Sequence, residues 1–360
     1  KDAEIISIID DYCKSGFITM DSYVDSIEQD DFQFSLIPAV KQILNLMATG
    51  AMPITHAFYL KLYHILVMRE KEFPPEVDRL LIDEAQDLSA MALDIIDRIP
   101  AKQKVLVGDQ NQRIFSFMKL IDGFERYPDA EVLELSQSFR VDNSYAPAIQ
   151  SFIRKHLEPE AVFEGMTYPE QVKSKTKAYL TRTNASLIAK MIKLNKSKTP
   201  YHLASTTKVK QMFKLPRAVI YAKPNFLQRD HELRHFQTLV DEWGRLPDKV
   251  KESQGLYTFL MNHVNIDMAT LSAIKLVISF SKEEIIEAYE TAESHKKTAC
   301  DLQLMTAHTS KGSTRDEVEL DPDMDKAVME ALSTKFKGTE EERRAELCLY
   351  FVSITRHRYK

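Results

Sequence analysis

The sequence predicts an α/β fold built on parallel strands, with helical segments before and inside it. Two observations predict it. After Pro74-Pro75, short runs of bulky apolar residues alternate with segments of helical periodicity, the pattern of a parallel sheet joined by crossover helices. Within that region, Leu80-Leu81-Ile82-Asp83-Glu84-Ala85-Gln86-Asp87 sets acids where a buried strand should end, the position at which open α/β sheets bind ligands.

Residues 1 to about 70 read as helical. Ile5-Ile6-Ile8-Ile9 and Ile37-Val40-Ile43-Leu44-Met47 recur at roughly helical spacing, and Thr55 followed by Ala57-Phe58-Leu60-Leu62-Tyr63-Leu66 makes a further helix. The two prolines break it before the first strand. Strands are expected at Arg79–Ile82, Val105–Val107, Val132–Leu135, Ala178–Thr181, Val219–Ala222 and Leu302–Thr306, with helices at Leu88–Ile99 and Tyr145–His156. A polar, lysine-rich connection, Tyr168–Lys177, puts a domain boundary between Arg154 and Lys177. Residues from about 190 to 300 read as mainly helical, Glu283–Glu290 being the clearest amphipathic piece.

With 360 residues, 44% of them hydrophobic, the chain can bury cores for two or three domains. A net charge of −5 gives no global basic signal, so any nucleic-acid contact must come from local patches. Cys13, Cys300 and Cys348 are widely spaced and outside any CxxC pattern, which points to a reducing compartment without structural zinc. No apolar run reaches the roughly eighteen residues of a membrane span, and the N-terminus lacks a signal-peptide core. The expected location is intracellular: cytoplasm or nucleoid, or the nucleus.

Three stretches carry candidate chemistry. At the first strand end, Asp83 could hold magnesium and Glu84 could take a proton from an attacking water. The same acids before Leu88 also fit a helix N-terminus, and the residues alone leave both readings open. After the second strand comes Gly108-Asp109-Gln110-Asn111-Gln112-Arg113-Ile114-Phe115-Ser116-Phe117. Its glycine permits a tight turn, Gln112 offers an uncharged amide to a phosphate, and Phe115 and Phe117 fit either base stacking or a core face. After the third strand, Leu135-Ser136-Gln137-Ser138-Phe139-Arg140 puts an arginine where it can neutralise a transferred phosphoryl group or form a surface ion pair.

Together with YLTRTNA (Tyr179–Ala185), LMTAHTSKG (Leu304–Gly312) and LYFVSITR (Leu349–Arg356), these stretches resemble, in order, motifs II, III, IV, IVa, V and VI of superfamily 1 helicases of the UvrD/Rep type. Ile54–Tyr63 further resembles the F-box DNA helicase branch and its phage and bacterial relatives. The resemblance covers about residues 54–190 and 300–358. It implies RecA-like parallel-sheet domains with helical insertions: a helical 1B-like subdomain at 1–72, the remainder of RecA-like domain 1 at 73–160, domain 2 at 161–195 and 296–360, and a 2B-like helical insertion at 196–295.

The same resemblance implies ATP and Mg2+ as cofactors and single-stranded or forked DNA as partner, traversed 3′ to 5′, with no membrane role. By it, Asp83 holds magnesium, Glu84 activates water, Gln112 contacts the γ-phosphate, and Arg140 and Arg356 are arginine fingers. Phe139 stacks on adenine, and Lys311 and Gly312 join the nucleotide site. Phe115, Phe117, Arg182, Asn184, Thr306 and His308 fall in motifs that line the DNA groove or couple it to ATP.

The chain departs from the family at three places. None of its nine glycines is followed by lysine, so no GxxxxGK[ST] phosphate loop is present, and this chain alone is expected to be inactive. Where the family continues KGLE plus an aromatic, this chain reads Lys311-Gly312-Ser313-Thr314-Arg315, which puts coupling in doubt. Motif VI lies close to Lys360, so the strand that follows it in relatives is expected to be missing. His231-Glu232-Leu233-Arg234-His235 matches HExxH, which on a helix would present two imidazoles to zinc; against six ordered helicase motifs it reads as a solvated helix. The rival from another class is a non-catalytic helicase-like module that binds DNA or protein.

Overall fold

The computed structural model describes residues 2–27, 34–115, 118, 120–168, 176–205, 209–221, 234–253, 255–262, 268–294 and 300–359. They form two compact units, Lys1–Leu133 and Glu134–Lys360.

The first unit opens on helices. Ile37–Ala48 buries Ile37, Val40, Leu44 and Met47, one stripe at helical spacing, against Ile8, Ile9 and Tyr12 of the helix Asp2–Lys14. His56–Met68 starts at Thr55, whose hydroxyl accepts the Phe58 N–H at 3.2 Å. The face this helix buries differs from its apolar pattern: Phe58, Lys61, His64 and Val67 are inside, while Leu60 and Leu66 are exposed. Lys61 donates to the Ser15 carbonyl at 2.7 Å and lies over the Tyr12 ring; His64 meets Asp94 at 3.1 Å. Burial pulls the Lys61 pKa down to about 8. Strands β1 (Val77–Ile82) and β2 (Ala101–Leu106) then pair in parallel, Ile82 opposite Leu106, joined by the helix Ala90–Arg98.

The second unit holds a parallel pair, β3 (Gln137–Asp142) with β4 (Glu164–Met166), and a four-stranded parallel sheet. That sheet runs in the order β6 (His202–Leu203), β7 (Leu302–Thr306), β5 (Lys177–Thr181), β8 (Glu317–Leu320). Helix Asn184–Lys196 packs Leu187, Ile188, Met191 and Ile192 into a core shared with Tyr179 and Leu304 of the sheet. Between β6 and β7 the described residues are helical, with a second core around Val219, Leu239, Leu260 and Ile274.

The expected α/β class with parallel strands and helical insertions is the observed one. Two strands are not. Residues 132–135 form no strand, and Val132, Leu133 and Leu135 are 80–89% exposed; β3 begins later, at Gln137. Val219 lies buried in the helix Lys214–Ile220, a short apolar run being ambiguous between strand and helix, and Ala222 lies outside the described residues. The strand expected at Val105–Val107 starts at Ala101 and ends at Leu106.

Candidate functional site

In the first unit the site grows from the ends of β1 and β2. Their register continues past the strands: Val107 N–H donates to the Ile82 carbonyl at 2.7 Å and Ala85 N–H to the Val107 carbonyl at 3.0 Å. The acids therefore leave β1 beside the loop that leaves β2. Asp83 and Glu84 are both exposed, and Asp83 Oδ1 accepts the Glu84 N–H at 2.9 Å. Glu84 adopts the left-handed conformation at φ 52°, a strained choice for a residue with a Cβ. Glu84 is the N-cap of the single turn Ala85–Asp87 but makes no side-chain cap bond there, and the longer helix Ala90–Arg98 is capped by Ser89, whose hydroxyl accepts the Ala92 N–H at 3.2 Å.

Sequence reasoning missed the residue that ties the two strand ends together. Gln86 is fully buried; its amide donates to Glu84 Oε2 at 2.5 Å and its oxygen accepts the Asp109 N–H at 3.1 Å. Gly108 permits this approach, since a Cβ there would lie 2.2 Å from Gln86 Oε1. The Asp109 carboxylate then orders the loop, accepting from the Asn111 N–H at 2.8 Å and the Gln112 amide at 2.9 Å. Gln112 and Phe115 are half-buried, and Phe117 lies outside the described residues. An uncharged buried residue between two acids gave no sequence signal beyond its place in the motif.

No three metal-ligating side chains cluster among the described residues. Magnesium is bound in nucleotide sites through one or two carboxylates plus substrate phosphates, and the exposed Asp83 fits that requirement.

In the second unit, the register of β5 with β7 sets Thr181 opposite Thr306, so Arg182 and the helix Ala307–Ser310 leave adjacent strand ends. Thr306 caps that helix, its hydroxyl accepting the Thr309 N–H at 3.4 Å. Arg182 grips Glu346 with two N–H groups, one at 2.8 Å. His308 sits in the field of both, and burial, reinforced by the Arg182 charge, lowers its pKa to about 4. Asn184 is exposed in the first turn of its helix. Asp323 accepts the backbone N–H groups of Arg182 at 2.9 Å and Thr183 at 3.2 Å, and its own burial raises its pKa. Asp323 comes from the helix Pro322–Ala331, outside the motifs, and Glu346 lies on the helix Glu340–Ile354 ahead of motif VI, so no motif named either residue.

The arginines divide unexpectedly. Arg140, on β3, is half-buried, and Phe139 beside it is 77% exposed. Arg356 is only 2% exposed, its guanidinium turned to the Val352 carbonyl at 2.8 Å and the Thr355 hydroxyl at 3.1 Å. Motif V is closed by Gly312 at φ 78°, with Lys311 half-buried before it. The divergent Arg315 donates to Gln303 of β7 and to the Thr314 carbonyl at 2.7 Å. After motif VI the described residues form no strand but an isolated bridge between Arg315 and His357: Arg358 N–H donates to the Arg315 carbonyl at 2.8 Å, and its carbonyl accepts the Asp142 N–H at 2.9 Å. His231 and Glu232 of the HExxH match lie outside the described residues.

Parallel strands whose ends carry paired acids, a glycine-led amide loop and arginines define an α/β protein with candidate ligand-binding groups at its strand ends. Comparison with known proteins makes this specific. Residues 58–119 match the UvrD/REP helicase N-terminal domain. F-box DNA helicase protein 1 of Schizosaccharomyces pombe is 25% identical over 341 residues, an alignment covering 87% of this chain and 36% of that protein. The chain is therefore similar to UvrD-like superfamily 1 helicases and spans about a third of the length of this curated relative.

Proposed function

We propose that this chain is part of an ATP-dependent motor that moves 3′ to 5′ along single-stranded DNA and opens forked DNA. The observation that carries this reading is the Gln86 junction, which holds the Glu84 carboxylate at the end of β1 and the Gln112 loop at the end of β2 with one buried amide. A water-activating base must be held where it can reach the proton, and the Gln86 bond together with the φ of 52° fixes Glu84 at the strand end in a way that suits this role. UvrD-like helicases use ATP and Mg2+; Asp83 would hold the metal, which when bound neutralises charge on the phosphates.

In this reading Glu84 receives the proton of the attacking water and Gln112 senses the γ-phosphate. Arg140 supplies a cation to the phosphates, while Phe139, Lys311 and Gly312 contact the nucleotide. Phe115, Phe117, Arg182, Asn184, Thr306 and His308 serve the DNA strand. The functional division is 1–72, 73–160, 161–195 with 296–360, and the insertion 196–295, in a protein working inside the cell. This chain by itself does not turn over ATP.

The test is DNA-stimulated ATP hydrolysis in a form that also carries a GxxxxGK[ST] segment. Glu84→Gln should cut turnover by roughly 100-fold or more while nucleotide still binds. Unchanged turnover would remove Glu84 from the mechanism. No hydrolysis in the parent form would make the chain a helicase-like binding module.

A further inference from the structure

The helix His56–Met68 packs on one side against Asp2–Lys14 and on the other against Ala90–Arg98. Its buried face carries two ionisable groups one turn apart, Lys61 and His64, both 0% exposed. The Lys61 ammonium has the Ser15 carbonyl at 2.7 Å and the Tyr12 ring at 4.7 Å, and enters no ion pair among the described residues. His64 Nε2 lies 3.1 Å from Asp94 Oδ2, while its Nδ1 is buried with no hydrogen-bond partner. Asp94 Oδ1 faces Arg126 at 3.4 Å, and the same guanidinium reaches Asp97 at 2.7 Å. One half-buried carboxylate thus joins the helical bundle to Ala90–Arg98 and is engaged from both sides.

This arrangement fixes the protonation state that the seam can hold. A carboxylate only accepts, so Nε2 carries the ring proton and Nδ1 is a bare acceptor. A second proton would place an N–H donor at Nδ1 with nothing to receive it, and a cation one turn from Lys61. Burial first, then the Lys61 charge, hold the imidazole below its ordinary value against the pull of Asp94. The other ionisable groups on the packed helices supply no free counter-charge. On Asp2–Lys14, burial pushes the Tyr12 phenol and the Cys13 thiol up to about 12, so both stay uncharged; Asp10 pairs with Lys14, and Asp11 acts on Tyr23. On Ala90–Arg98, Asp97 is bonded to Arg126 and to the Tyr127 hydroxyl, and Arg98 lies 3.9 Å from Glu70. Arg69, at the end of His56–Met68, adds positive charge near Tyr12.

The seam is close-fitting but separate from the core of the bundle. A Cβ at Gly16 would lie 3.0 Å from Asp94 Oδ2, the oxygen that His64 uses. The apolar core of the bundle, from Ile8, Ile9 and Tyr12 to Val40, Leu44 and Phe58, draws nothing from Ala90–Arg98. We propose that His64 is a proton-operated latch: singly protonated, it fastens the helical bundle to Ala90–Arg98 through Asp94; doubly protonated, it opens that seam while the bundle keeps its core. Lys61 sets the latch, because its charge opposes the second proton. The contribution of the seam is fully present above about pH 6.5, the ordinary histidine value, and is lost as pH falls below it. Ala90–Arg98 starts at its Ser89 cap, directly after the Asp83–Asp87 stretch, so opening loosens the helix that follows the acids. The latch does not depend on the nucleotide reading above.

The experiment is hydrogen–deuterium exchange of this chain between about pH 7.5 and 5, corrected for intrinsic rates and read segment by segment, with the His64 ring signals followed by NMR over the same range. Protection in His56–Met68 and Ala90–Arg98 should fall about 10-fold or more at the acid end, tracking the His64 titration, while Ile37–Ala48 stays protected. His64→Gln keeps a side-chain N–H for Asp94 without a titrating ring and should abolish the response. Lys61→Met removes the opposing charge and should move the His64 titration to higher pH, with protection at the neutral end kept or gained. Opening of Ile37–Ala48 together with the other two helices is general acid unfolding and overturns the latch. So does unchanged protection across the His64 titration, or an undiminished response in His64→Gln. An unmoved His64 titration in Lys61→Met overturns the part given to Lys61. The titration of the parent chain decides the latch without any variant.

Discussion

Gln86 donates its side-chain amide to the Glu84 carboxylate at 2.5 Å from a fully buried position. Because its oxygen also accepts the Asp109 N–H, any displacement of Gln86 disturbs both strand ends at once.

Gly108→Ala tests this coupling. The added methyl would lie 2.2 Å from Gln86 Oε1 and 3.0 Å from the Ala85 nitrogen. The side-chain oxygen must move, and being buried it loses a hydrogen bond when it does. The expected loss is about 1–3 kcal/mol in urea unfolding. Adding Gln86→Ala opens the space, so the double variant should lose less than the sum of the singles. Strict additivity would show that the two residues do not share this contact.

Gly312 makes a different demand. Its φ of 78° lies in the left-handed region, yet an added Cβ would meet no atom within 4 Å. Only backbone strain opposes substitution. Gly312→Ala should therefore lower stability by about 1 kcal/mol, and Gly312→Asn by less, since asparagine tolerates this region. Equal thermal shifts for both variants would point to a steric cause instead.

His308 predicts a pH dependence. The unfolded chain takes up this proton near pH 6.5, whereas the folded chain does so only at about 4. Between those values the unfolded state holds more protons, so stability falls as pH is lowered through the window. Above pH 6.5 the full contribution is present. His64, His156 and His357 are lowered as well, so the comparison must be with His308→Gln. The parent should lose on the order of 1–3 kcal/mol more than this variant on acidification. Identical slopes in paired denaturation curves would refute the assignment.

What the sequence made legible follows from where the signal is local. β1, β5 and β7 were readable because bulky apolar runs end at motif residues, and Thr55 announced its helix as a cap. The apolar run around Val219 was misread because the core that receives it comes from Leu239, Leu260 and Ile274, far along the chain. Lys61 and His64 were assigned no place because their partners, Ser15 and Asp94, belong to other helices. The acids and amides of the strand ends stood out as candidates in the sequence, but their buttress, Gln86, acts through bonds that no periodicity encodes. Phe139 and Arg140 were legible as a pair, whereas Arg358 shares a recess with them only because the segment after Arg356 lies between Asp142 and Arg315.

Arg182 and Glu346 supply the last prediction. Their two-pronged pair is partly screened, with side chains 30% and 22% exposed, so its coupling in a double-mutant cycle should be about 1–2 kcal/mol. Glu346→Gln leaves the Arg182 charge beside His308 without its counter-ion, which should lower the His308 pKa further, because Glu346 is the group that raises it. The same change frees the Arg182 guanidinium for another anion. If Arg182 serves a DNA strand, Glu346→Gln should tighten binding of a single-stranded oligonucleotide several-fold, and Arg182→Ala should weaken it. Fluorescence anisotropy at fixed salt separates the cases. Weaker binding in both variants would mean that the pair shapes the fold and that Arg182 does not itself touch the strand.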